Sequence, residues 1–203
     1  MTTGATEADA RWLATLQRLV GRAAHELKGA LNGVSINLEV IRSRVERSNA
    51  TASTVGSFAV SATSQLDEVI SLSEALVGLT RAAAEPVEVG VEARRIAILL
   101  GAAARSNGGQ LTVDDARALA AVGRTSASGS AVRAALGECM LAAVDLSKNV
   151  GCAAVADSPA TTVRIDARDD GALDLNPELV AMARGAGIDI RAEHSTVLIV
   201  FPG

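Results

Sequence analysis

Aromatic side chains are nearly missing from this sequence: Trp12, Phe58 and Phe201 are the only three, and tyrosine is absent. The core must therefore be filled by Ala, Val, Leu and Ile, and a stacking platform for single-stranded nucleic acid is not expected. A formal net charge of −4 also removes the electrostatic basis for gripping a phosphate backbone, so no nucleic-acid partner is expected. Two cysteines, Cys139 and Cys152, are too few for a disulfide framework and too isolated to suggest a metal site. Neither a metal nor a cofactor is expected. No stretch of about 18 apolar residues occurs, and Met1 to Ala10 has neither the basic start nor the apolar run of a secretory leader. The expectation is a cytoplasmic protein without a membrane partner.

What is present is a chain of 203 residues, 49% hydrophobic, enough to bury one domain or two small ones. Between about Arg11 and Arg47, the positions Leu13, Leu16, Val20, Ala23, Leu27, Ala30, Val34, Asn37 and Ile41 advance alternately by three and four. That spacing predicts a helix with a coiled-coil seam, broadened by Leu19, Ala24, Leu31 and Leu38. Ser48 to Thr51 brings turn and cap chemistry. From Thr54 to about Arg81, Phe58, Leu66, Val69, Ile70, Leu72, Leu76, Val77 and Leu79 repeat the pattern. Two long amphipathic helices joined by a short polar link make an antiparallel hairpin. A lone hairpin cannot enclose so wide an apolar stripe, so a homodimer forming a four-helix bundle is predicted.

Pro86 interrupts the pattern and sets a predicted boundary between residues 1–84 and 85–203. Beyond it, the spacing predicts a helix over Glu92 to Ala104 and a short strand at Gln110 to Val113. Asp114 to Val122 reads equally as a strand end or a helical turn. Ser128 to Ser147 is the clearest helix of this half, and Thr161 to Arg168 a half-buried strand. A turn at Asp169-Asp170-Gly171 leads into Ala172 to Leu175. Asn176-Pro177 opens a further helix closed by Gly185 to Gly187, and Ile188 to Arg191 with Val197 to Phe201 form a hairpin. The fold class expected is α+β: a helical hairpin followed by a small α/β sandwich, helices on one face of a largely antiparallel sheet.

The chemistry concentrates in Ala24-His25-Glu26-Leu27-Lys28-Gly29-Ala30-Leu31-Asn32. With Leu27 at an a position, His25 falls at f, away from the seam, where its imidazole meets solvent. A neutral imidazole offers a ring-nitrogen lone pair, the form a nucleophile requires. Glu26 is placed to accept the ring proton. Lys28 is placed to balance charge on phosphoryl oxygens, and Asn32, seven residues on, to orient a water or the phosphoryl group. Gly29, one turn after His25, leaves room for an incoming active site.

His25 to Asn32, in the first helix of a hairpin followed by an α/β domain, resembles the H-box of bacterial sensor histidine kinases. The resemblance in part order spans nearly the whole chain, although the family commonly has proline where Ala30 stands. It implies an ATP-binding second domain whose asparagine-bearing helix corresponds to Ala131 to Ser147. In that alignment Ala142 takes the place of the metal-coordinating asparagine, and a methyl group cannot hold magnesium. No Asp-x-Gly-x-Gly and no second glycine-rich box follow. The chain thus looks like the dimeric histidine phosphotransferases of bacterial relays, which keep the kinase architecture with a degenerate second domain. That implies partners among receiver domains of response regulators or hybrid kinases, with His25 shuttling phosphate between their aspartates. Competing readings are an ATP-dependent kinase with an unusual nucleotide site, a phosphatase of a phosphorylated receiver, and a non-catalytic dimeric adaptor or inhibitor.

Overall fold

The computed structural model describes residues 3–46, 52–83, 85–114, 119, 123–155, 161–168 and 171–203. The link at 47–51, most of the ambiguous 114–122 segment and the turn residues 169–170 lie outside the described residues. The protein is α+β, with helices α1 (Thr3–Val45) and α2 (Ala52–Thr80) preceding a mixed α/β region. There β1 (Val87–Glu88) pairs antiparallel with β3 (Arg124–Thr125). Helices α3 (Val89–Ser106), α4 (Gly129–Leu146) and α5 (Pro177–Gly185) accompany a five-stranded sheet. Its strands are β2 (Gln110–Asp114), β4 (Asn149–Ala154), β5 (Thr161–Ala167), β6 (Asp189–Glu193) and β7 (Thr196–Phe201), in spatial order β2-β4-β5-β7-β6.

The sheet is mixed. β2 and β4 run parallel, connected through α4, because parallel neighbours need a crossover; the other pairings are antiparallel. Strand β4 went unpredicted. Its Asn149-Val150-Gly151-Cys152-Ala153-Ala154 run is buried over its middle four residues, so it lacks the polar alternation that marks a half-exposed strand. Conversely, 171–176 does not join the sheet. Leu173 is buried, and its N–H donates to His194 O at 2.7 Å, a lone bond to the β6–β7 turn instead of a ladder.

Capping follows local chemistry. Ser128 accepts from Ala131 N–H at the start of α4, and Asn176 from Glu178 N–H at the start of α5, with Pro177 at the first helical position. Helix α3 ends as Gly109 N–H returns to Ala104 O at 2.8 Å, with Gly108 at φ 73°. A β-carbon on Gly109 would lie 2.6 Å from Lys148 O, so the entry to β2 requires glycine.

One apolar core runs from the hairpin into the sheet. Trp12, Leu19 and Ala23 of α1 and Leu72, Ala75 and Leu79 of α2 are buried with Ile96, Leu100, Leu136, Met140, Ile165 and Phe201. The polar centre of that junction is Arg133, 4% exposed. It donates to Glu92 Oε2 at 2.8 Å and Oε1 at 3.2 Å, and to the carbonyls of Gly78, Leu79 and Arg81 at 3.2, 3.2 and 2.7 Å. Its guanidinium also lies 5.7 Å from the Trp12 ring centroid. These carbonyls belong to the end of α2, where a helix leaves acceptors without partners and concentrates negative partial charge. A buried cation there caps α2 and ties it to α3 and α4 together.

Farther from the sheet the hairpin is thinner. Asn37 donates to Gln65 Oε1 at 3.0 Å and Ser61 Oγ at 3.3 Å, and Arg44 stacks 4.6 Å above Phe58. The predicted seam of α1 divides here. Ala23 and Ala30 are buried within the chain, whereas Leu13 and Val20 remain 56% and 38% exposed. With Leu31, Leu38 and Val45, at spacings of seven, they form an exposed apolar stripe on α1, matched on α2 by Leu66, Ile70 and Val77. No helix among the described residues is long and apolar enough to cross a membrane.

Candidate functional site

Helix α1 is rotationally fixed by what it buries. Trp12, Thr15, Leu19, Ala23 and Ala30 face α2 and the α/β layer. At about 100° per residue, His25 then falls on the side turned away from both this buried stripe and the exposed apolar one. Its side chain is exposed and has no hydrogen bond or ion pair among the described residues. Lys28 and Asn32 share that outer face and are likewise exposed. A β-carbon built on Gly29 meets nothing within 4 Å, so the surface one turn beyond His25 is open.

Glu26 stands apart from the other three predicted residues. It is half-buried and faces α3, where its Oε1 accepts a hydrogen bond from Ser106 Oγ at 2.7 Å. Arg22, four residues earlier and on the same face, pairs with Asp145 near the end of α4, and Arg18 joins it at 3.4 Å. The flank of α1 beside His25 is therefore held by the tips of two helices of the α/β layer. Between them lies an open groove of about 350 Å³, lined by Arg22, Asn107, Gly109, Asp145, Ser147 and Lys148.

The face of α4 opposite the sheet is taken up by α1. Gly137 admits the Thr15 side chain, and a β-carbon there would lie 2.7 Å from Thr15 Cγ2. Arg11 bridges Glu138 at 3.1 Å and Glu178 at 2.9 Å. Ala142, aligned above with a metal-coordinating asparagine, packs half-buried against the core. Among the described residues no three His, Cys, Asp or Glu side chains gather closely enough to hold a metal ion.

Sequence reasoning did not find Ser106, Asp145 or Arg133. For Asp145 a signal existed in retrospect, because Arg18, Arg22 and Glu26 recur every four residues as a charged flank beside the apolar seam. For Arg133 the signal was a lone cation inside the apolar run Ala131 to Leu136, where only a partnered charge can be buried. Ser106 carried none, being one polar residue at a helix end. No protein-family model and no curated protein matches this chain.

Proposed function

We propose that the protein is a dimeric histidine phosphotransferase that accepts a phosphoryl group on His25 from a receiver-domain aspartyl phosphate and passes it to another receiver. The observation that carries this reading is the exposure of His25 on the one face of α1 that neither the chain's own core nor the apolar stripe uses. If two copies pair through Leu31, Leu38, Leu66, Ile70 and their neighbours, His25 stays on the outside of the resulting four-helix bundle, open to a partner.

In the forward step an imidazole nitrogen of His25 attacks phosphorus. The N–P bond forms, the P–O bond of the acyl phosphate breaks, the receiver's aspartate leaves as carboxylate, and the ring N–H proton passes to solvent. Transfer onward is the reverse with a second aspartate. Charge on the moving phosphoryl group is met mainly by the divalent ion that receivers carry, so this chain's task is to present the nucleophile and dock the partner. Lys28 and Asn32, on the same face, are the residues assigned to the phosphoryl oxygens.

The test is to mix the purified protein with phosphorylated receiver domains and follow phosphate onto it. Acid-labile label on the wild type and none on His25→Ala supports the reading. Label from ATP and magnesium alone would instead favour an autokinase, and failure of every receiver to label the wild type would remove phosphotransfer, leaving the adaptor.

A further inference from the structure

Glu26 follows His25 directly, yet neighbouring side chains on a helix diverge by about 100°. Here that divergence is stabilised by another part of the chain. Ser106, the last residue of α3, donates its only hydroxyl proton within reach of two acceptors: Glu26 Oε1 at 2.7 Å and Ala103 O at 3.1 Å. The carboxylate is the nearer acceptor and the one that gives a charge-assisted bond, so it takes the proton. One turn earlier, the Arg22–Asp145 pair fixes the same flank of the helix.

We propose that Ser106 is a positioning residue that holds the Glu26 carboxylate away from the His25 imidazole, so that the α/β layer restrains the nucleophile's neighbour until a docked partner shifts α3. The consequence for chemistry rests on His25 being the phosphoacceptor. Released from Ser106, Glu26 takes the proton from one ring nitrogen as the other bonds to phosphorus, and the aspartate departs as carboxylate. While Ser106 holds it, the ring has no base at hand. The second domain then acts as a brake on the site instead of as a nucleotide-binding engine.

The restraint is measurable without any partner, because the chain has two histidines, His25 and His194. Diethyl pyrocarbonate acylates the neutral imidazole, and peptide mass spectrometry separates the two sites. His194, in the β6–β7 turn, serves as the internal reference for an intact fold. S106A should raise the His25 to His194 rate ratio about three- to tenfold, the equivalent of one hydrogen bond. S106T, which keeps the hydroxyl, should restore the wild-type ratio, and S106A combined with E26Q should abolish the rise. An unchanged or lower ratio in S106A, or a rise that persists with E26Q, overturns the proposal. Transfer from a phosphorylated receiver should also be faster in S106A. If the ratio rises but no receiver labels any variant, the restraint stands and phosphotransfer falls.

Discussion

Replacing Arg133 by Met tests how much of the junction between hairpin and sheet is held by its buried cation. Methionine keeps most of the aliphatic bulk beside Trp12 but removes the guanidinium's donors to Glu92 and to the last carbonyls of α2. Glu92, 4% exposed, would retain, among the described residues, only its 2.7 Å bond from Arg95. Breaking a buried ion pair by deleting one partner costs about 3 to 5 kcal/mol, largely through the stranded charge. Set against a total stability of about 5 to 15 kcal/mol, that is a severe loss. With a urea dependence of about 2 kcal/mol per molar, the unfolding midpoint should fall by about 2 M. Amide exchange should accelerate most at the last turn of α2, where the carbonyls lose their cap. Removing both partners in Arg133→Met/Glu92→Leu should recover part of the loss, because no charge is then stranded. Arg133→Lys should recover little, since a point charge cannot serve a carboxylate and a helix end together. A midpoint within about 0.5 M of wild type for Arg133→Met would refute the reasoning and leave the junction to apolar contact and the peripheral ion pairs of α1.

Other outcomes follow from the same contacts. Ile70→Glu or Leu38→Glu, placing charge on the exposed stripe, should convert a dimer into a monomer in sedimentation while far-ultraviolet dichroism stays unchanged; a monomeric wild type would leave the stripe to another occupant. His25→Ala should eliminate phosphate uptake from a labelled receiver with a melting temperature unchanged within error, because the side chain touches nothing that stabilises the fold. Gly137→Ala should cost about 1 to 3 kcal/mol in chemical denaturation by driving a methyl group into Thr15, and Thr15→Ser in the same background should relieve it. Burial, aided by neighbouring Glu138, pushes the Cys139 thiol far above its usual range, so iodoacetamide should label it only after unfolding. Rapid labelling of the native protein would contradict that burial.

How far the sequence could be read depended on how local the determinants were. The two long helices, the helix over 128–147, the cap at Asn176 and the strands β5, β6 and β7 rest on spacing and turn chemistry within a few residues, and these were legible. β4 was not, because a strand buried on both faces shows no alternation, and its place between β2 and β5 depends on partners far away in sequence. Of the four site residues proposed, His25, Lys28 and Asn32 fall on the outer face that the heptad count predicts, since a helix carries that information in its period. Glu26 was assigned by adjacency to His25, and adjacency along a helix does not imply facing.

The sequence alone determined a helical hairpin with an outward histidine and a wide apolar stripe, because the periods that encode them are properties of single helices. Only the tertiary structure decided which part of that stripe is used within the chain. The hairpin's base is built into the α/β core around Arg133, leaving Leu31, Leu38, Leu66 and Ile70 uncovered. It also decided that Glu26 belongs to Ser106, a residue eighty positions away. Such long-range pairings depend on where the sheet brings α3 and α4 to rest against α1, and no local pattern carries that.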